Sequence, residues 1–264
     1  MRQHIPRKRF GQNFLNSAGI IRKIVAAIAP QRDDLMVEIG PGQAAITEPL
    51  LNALDYLHVV EIDRDLIAEL KQRFPADRLI IHEGDALDFD FAALGNNLRV
   101  VGNLPYNIST PLLFHLGMFA SHVHDMHFML QKEVVDRMVS APGGCEYGRL
   151  SVMLQYRFHM ERLFIVPPDA FTPAPKVDSA IVRMIPKPAD ELLACDEVVF
   201  ATVVTTAFSQ RRKMLRNTLR NLFSETQLQA LEIEPTSRPE TLGVEDYVKL
   251  ANQIDRTDPS LYPR

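Results

Sequence analysis

Asn103 stands in the run GNLPYNIST (102–110), at the end of the apolar stretch LRVVG (98–102). An asparagine amide both donates and accepts hydrogen bonds. Pro105 removes a backbone N–H and stiffens the turn, which leaves nearby carbonyls, those of Leu104 and Pro105, turned outward. Tyr106 supplies a flat ring face. Together these groups suit an exocyclic amine on a planar ring, with two acceptors for the N–H groups and an aromatic cover for the ring.

A second constellation lies upstream. EIGPGQAAIT (38–47) follows an apolar run, and Gly40 and Gly42 permit a tight turn and close approach of a ligand to the backbone. Glu61 ends the next apolar run, 21 residues after Gly40, where a carboxylate can take both hydroxyls of a ribose. Asp85 ends the run after that and can accept from an adenine amino group. Glu38, just before the glycines, suits an ammonium group. Gly40-x-Gly42-x-x-Ala45 followed by Glu61 also fits the dinucleotide fingerprint, so an NAD-dependent oxidoreductase stays open on this motif alone. The second acid, Asp85, and the NLPY turn shift the reading toward S-adenosylmethionine.

The elements that must position these groups alternate. β-rich runs occur at 35–40, 57–63, 79–85, 98–104, 126–131, 162–167 and 177–186, with helical patterns between the earlier ones. Ser17, Thr47, Asp65 and Thr110 suit helix caps or first turns. Continuous apolar strands alternating with helices imply an α/β domain, a Rossmann-like parallel sheet covered on both faces. PKPADE (186–191) breaks the pattern, and only helical signals follow. The expected division is an α/β domain over 1–187 and a small C-terminal all-helical domain over 192–264.

Charge is uneven. The net charge is −4, yet residues 209–223 (SQRRKMLRNTLRNLF) carry Arg211, Arg212, Lys213, Arg216 and Arg220 with no acid. A second basic island holds Arg2, Arg7, Lys8 and Arg9. Phosphate binding follows local potential, so nucleic acid remains a candidate partner. Arg212, Arg216 and Arg220, spaced by four, would form one stripe if the segment is a single helix. No apolar run reaches membrane-spanning length, no secretory signal is evident, and two cysteines without a CxxC pair suit a reducing cytoplasm.

NLPYNIST, with RKRFGQNFL (7–15) and FTPAPKVDSA (171–180), resembles the ribosomal RNA adenine N6-dimethyltransferases, in the branch that modifies small-subunit rRNA. The resemblance implies a seven-stranded class I S-adenosylmethionine-dependent methyltransferase fold whose last strand runs antiparallel. It implies S-adenosylmethionine contacts from Asn13, Leu15, Gly40, Glu61, Asp85 and Asn103. Phe171 is expected to stack on the target adenine opposite Tyr106. The implied substrate is a pair of adjacent adenines in the hairpin loop near the 3′ end of 16S rRNA, each dimethylated, in the small subunit or its precursor, by a monomeric cytoplasmic enzyme. QRRK (210–213) resembles the family's C-terminal helix. Many methyltransferases have a third glycine where this chain has Ala44. A large-subunit (23S) rRNA dimethyltransferase and a non-catalytic assembly factor are the remaining alternatives.

Other groups are weaker. His122, His124 and His127 crowd the start of one strand but lack an acidic or cysteine partner for a metal site, and no metal is expected. Cys145 has no base beside it. GGCEYGRLS (143–151) suits a substrate-side loop, with helix packing the equal alternative for Tyr147.

Overall fold

The computed structural model describes residues 13–106, 108–210 and 212–254. The chain divides into two compact units, one of residues 1–135 and 159–186, the other of residues 136–158 and 187–264.

In the first unit, β1 (Phe14–Leu15) precedes α1 (Ala18–Ile28). Then β2 (Met36–Ile39), α2 (Thr47–Ala53), β3 (Leu57–Glu61), α3 (Arg64–Arg73), β4 (Leu79–Glu83) and β5 (Leu98–Asn103) alternate. α4 (Ser109–Gly117) leads to β6 (Val123–Gln131), α5 (Lys132–Val139) follows, and β7 (Phe158–Val166), β8 (Phe171–Thr172) and β9 (Ser179–Pro186) complete the strands. Seven of them form one sheet in the order β4-β3-β2-β5-β6-β9-β7. β4 to β6 run parallel, and β9 joins β6 antiparallel, as the resemblance implied. Strand order reverses at β2, between β3 and β5, and ligands of doubly wound sheets bind outside the carboxyl ends of the strands at such a point. All four β2 residues are buried, which explains why its sequence shows no polar alternation. Ile24 and Ile28 of α1 pack with Leu50, Leu54, Leu57 and Val59 over one face.

Thr47 and Asp65 both fall in the first turns of their helices, as expected. Thr47 opens α2, but its hydroxyl donates to Glu38 rather than to its own helix. The cap of α3 is Asp63, whose side chain accepts from Asp65 N–H. At the far end of β5, Arg99 is buried among two carboxylates. It donates to Asp125 through Nε and Nη2, each at 2.8 Å, to Asp34 through Nη1 at 2.6 Å, and to the Ile28 carbonyl that ends α1 at 2.6 Å.

The second unit corrects two expectations. Its core joins Tyr147, Val152 and Tyr156 to Val199, Phe200, Val203 and Tyr247. Residues 136–158, including α6 (Arg149–Arg157), therefore belong to this unit and not to a domain running unbroken over 1–187. Tyr147 is fully buried, so it packs and does not line a substrate rim. The stretch 196–223 is also not one helix: α7 (Glu197–Ala207) ends in a 3₁₀ turn at Phe208–Gln210, and α8 spans only Leu215–Thr218. The Thr202, Thr206 and Ser209 hydroxyls bond back to carbonyls three or four residues earlier, a competition that weakens helices, and the chain turns to bury Leu215 and Leu219. Arg212, Arg216 and Arg220 thus lie on a turn, a short helix and the segment after it, and form no helical stripe. α9 (Glu225–Ala230) and α10 (Val244–Gln253) follow.

Candidate active site

A cavity of about 220 Å³ opens at the carboxyl ends of β2, β3 and β5, within the first unit. Its floor is the turn after β2. Gly40 and Gly42 hold φ of +66° and +56°, the left-handed region that suits glycine. A Cβ on Gly42 would sit 3.3 Å from the Phe14 ring. Ala44, in place of the third glycine, adopts φ +66° and keeps the same turn.

Three carboxylates reach this cavity. Glu61 accepts from the Ile62 and Asp63 N–H groups through one oxygen, each at 2.9 Å, and from Gly42 N–H through the other at 3.4 Å. Burial pushes its pKa up against those hydrogen bonds. Asp85 accepts from Leu87 N–H through Oδ1 at 2.9 Å. Glu38 is only 2% exposed and accepts from Thr47 Oγ1 at 2.7 Å. Desolvation, with repulsion from Glu61 behind it, raises its pKa to about 7 despite the Thr47 bond. A buried carboxyl beside a second carboxylate makes this end of the cavity favourable to positive charge.

Asn103 donates from Nδ2 to the Asn13 carbonyl at 3.2 Å, which leaves Oδ1 as the acceptor. The Pro105 carbonyl accepts Ile108 N–H at 3.1 Å and the Tyr106 carbonyl accepts Ser109 Oγ at 3.1 Å. The Leu104 carbonyl is therefore the better placed second acceptor. Tyr106 is half-buried, lines the cavity, and is tied by its hydroxyl to Ser179 Oγ at 2.8 Å. Asn13, Leu15, Gly40, Glu61, Asp85, Asn103, Leu104, Pro105 and Tyr106 all line this one cavity.

Phe171 is the correction. It is 4% exposed and packs in the core with Leu15, so it presents no face for a base here. Its strand pairs with β1, Leu15 opposite Phe171 and Phe14 opposite Thr172. Four partners were missed by sequence reasoning: Thr47 on Glu38, Ser179 on Tyr106, Phe14 on Gly42, and Ile62, which is 47% exposed at the cavity. Ser179 lies inside the FTPAPKVDSA signature, and Ile62 directly follows Glu61, so both stood beside residues already singled out.

The sequence profile of the family described as "Ribosomal RNA adenine dimethylase" matches residues 3–256. The chain belongs to this family. It is an S-adenosylmethionine-dependent methyltransferase of ribosomal RNA adenine. It is 62% identical over 259 residues, 98% of each chain, to "Ribosomal RNA small subunit methyltransferase A" of Aromatoleum aromaticum. It is 61% identical over 254 residues to the protein of the same name from Dechloromonas aromatica, covering 96% of this chain and 100% of that one. A dimethyladenosine transferase structure from Plasmodium falciparum superposes with a TM-score of 0.78 at 27% identity, covering 90% of this chain and 95% of that chain. The structure of the 23S rRNA methyltransferase ErmE, at 24% identity and a TM-score of 0.70 over 92% of this chain and all of that one, shares the fold.

The Glu38 environment has a measurable consequence. A carboxyl raised from 4.5 to about 7 on folding contributes stability that is present below pH 4.5 and lost as pH climbs through 7. Cofactor-free Glu38→Gln is therefore expected to melt higher than the natural protein at pH 8, by on the order of 2 kcal/mol in stability, and to converge with it near pH 5. Parallel melting curves of the two proteins across pH 5–8 would remove the assignment.

The remaining sequence candidates resolve simply. His122 Nδ1 pairs with Asn96, and His127 is buried, with its pKa held down near 4 mainly by desolvation. Among the described residues, no group of three or more His, Cys, Asp or Glu side chains is arranged for a metal. No helix among the described residues is long and apolar enough to cross a membrane. Arg211 and the basic residues 2–9 lie outside the described residues. Arg212, Lys213, Arg216 and Arg220 are exposed, and Arg216 lies 3.8 Å from Glu225.

Proposed function

We propose that this enzyme dimethylates N6 of two adjacent adenosines in the hairpin loop near the 3′ end of 16S rRNA, in the small subunit or its precursor. The observation that carries the reading is the Asn103 amide, turned by Asn13 so that an acceptor remains beside Tyr106. The small-subunit assignment is supported by relatives near 60% identity over almost their whole length, against the 24% match to the large-subunit enzyme.

The cavity residues fit S-adenosylmethionine. The Glu61 oxygen that meets Gly42 N–H only at 3.4 Å suits the ribose hydroxyls, Asp85 Oδ2 suits the adenine amino group, and Glu38 suits the ammonium. Asn13 and Leu15 line the site from the N-terminal arm, here the segment Asn13–Asn16 around β1, and Gly40 lets the cofactor approach the backbone. Bound there, the cofactor supplies an electrophilic methyl carbon. The protein must then prepare the adenine nitrogen, whose lone pair is delocalised into the ring. Asn103 Oδ1 and the Leu104 carbonyl accept its two N–H groups and favour a pyramidal nitrogen. Pro105 holds that carbonyl in place, and the Tyr106 ring, fixed by Ser179, aligns the base. This is orientation more than acid–base catalysis. The proton leaves to water. Flipping the adenine out is cheapest in a loop. A monomer in the cytoplasm suffices for this chemistry.

Mapping N6-dimethyladenosine in rRNA from cells with and without the gene tests the reading. Loss of a neighbouring pair of marks from 16S rRNA is expected, and loss from 23S rRNA alone would overturn it.

The exposed cations Arg212, Lys213, Arg216 and Arg220 are proposed to hold RNA phosphates, and so is Arg211 by its place in the sequence. Because Glu225 already faces Arg216, the charges are unequal. Neutralising Arg212, Lys213 and Arg220 should lower the log–log salt slope of RNA binding by roughly 0.7–0.9 per residue, and Arg216→Gln by less. The choice of adenine should persist, since phosphates carry little sequence information. An unaltered salt slope in the triple variant would remove these residues from the interface.

A further inference from the structure

We propose that the N-terminal arm is a positioning element for methyl transfer, and that Asn16 and Thr172 hold it so that the Asn13 carbonyl fixes the direction of the Asn103 amide. The inference rests on the reading of Asn103 Oδ1 as the N6 acceptor.

An asparagine amide has two orientations related by a half-turn, and only one is useful. With Oδ1 toward the base it accepts an N6–H. With Nδ2 toward the base, donor meets donor. The partner that selects between them is the Asn13 carbonyl, 3.2 Å from Nδ2. An acceptor can hold only the nitrogen end of the amide, so the carbonyl enforces the productive orientation before substrate arrives.

That carbonyl is not on the sheet that carries Asn103. It precedes β1, whose ladder partner is β8. Two further bonds lock this ribbon: Asn16 N–H to the Ala170 carbonyl at 2.9 Å, and Asn16 Nδ2 to Thr172 Oγ1 at 2.6 Å. Beneath them Leu15 and Phe171 share the core. The path runs from Thr172 through Asn16 to Asn13 and on to Asn103. It also gives the buried Phe171 a role, as the anchor of the strand that holds the arm. Asn16 and Thr172 are both exposed and neither lines the cavity, so the bond between them is not needed to cover a cofactor.

The test uses full-length Asn16→Ala, Thr172→Val and Thr172→Ser. Two quantities are read: the single-turnover rate at saturating RNA and cofactor, and the hydrogen exchange of the Asn103 side-chain NH₂, resolved by NMR and assigned by its absence in Asn103→Asp. Asn16→Ala and Thr172→Val should each slow transfer by about fivefold, the factor one hydrogen bond commands, and speed NH₂ exchange by a similar factor. Cofactor and RNA dissociation constants should change by less, and Thr172→Ser should restore both readings. Natural rates with natural NH₂ exchange in both variants would overturn the proposal. So would a rate loss matched by weaker cofactor binding, which makes the arm a cover only. A variant with a lowered melting temperature is measured at a temperature where it is folded, and the NH₂ reading then decides. If the natural protein methylates no 16S adenine, the functional reading fails, while NH₂ exchange still reports whether the clamp orients the amide.

Discussion

Asn103→Ala is expected to slow single-turnover methyl transfer on the order of 10²-fold or more, with RNA saturating. The loss falls on the chemical step because Asn103 Oδ1 acts on the nitrogen whose lone pair must be released from the ring. Binding of the base draws on Tyr106, which the substitution leaves anchored to Ser179. Stability should change little. Asn103 ends β5 half-buried, and the bond it loses is a single one to the Asn13 carbonyl. RNA affinity within about threefold of the natural protein, beside a 10²-fold slower rate, is the expected signature. Rates near natural with both substrates saturating would remove Asn103 from the reacting centre.

The central strands were legible because they are buried on both faces. Runs such as MVEI and LRVVG have no alternative to a covered strand, and each catalytic candidate sits where such a run stops. The glycine turn was legible for a related reason, since φ near +60° leaves few residue choices, although Ala44 shows that alanine can occupy one such position. Three things were not legible. Residues 136–158 carry an ordinary amphipathic helix, and sequence order alone cannot tell which core its apolar face meets. The basic run around Arg212 has helical spacing, but back-bonding hydroxyls at Thr202, Thr206 and Ser209 end α7 before it. Phe171 carries a recognisable motif, yet its burial is decided by Leu15, far away in sequence, and no local pattern announces a two-residue ladder. The hydroxyls that hold Glu38 and Tyr106 were hidden likewise. Thr47 read as a cap or first-turn residue and Ser179 as part of a strand, because a single hydroxyl's partner is a tertiary fact.

Arg99→Met is expected to be the most destabilising single change considered, at about 3–5 kcal/mol. β5 carries Asn103 at one end and Arg99 at the other. Arg99 stands opposite Asp125 in the ladder and makes a two-pronged bond to it, with Asp34 on its remaining amine. The same guanidinium holds the last carbonyl of α1, and its pKa is raised chiefly by the Asp125 bond. Methionine preserves much of the volume, so the cost is electrostatic. Asp125, buried with it, would lose its cationic partner, and the end of α1 would lose its donor. One compensation is built in. His127 Nδ1 lies 3.8 Å from Asp125, and Arg99 is one of the charges that hold its pKa down. Without Arg99 that pKa should rise, because the Asp125 attraction then meets one fewer repulsive cation. A histidine whose folded pKa lies below its unfolded value costs stability as pH falls through the unfolded value, and that cost shrinks as the folded pKa rises toward it. Arg99→Met should therefore regain part of its loss as pH falls toward 5, and Arg99→Met with His127→Gln should not. Denaturant melts of both proteins at pH 5 and pH 8 measure this directly. Equal losses at the two pH values would show that His127 takes no part in the network.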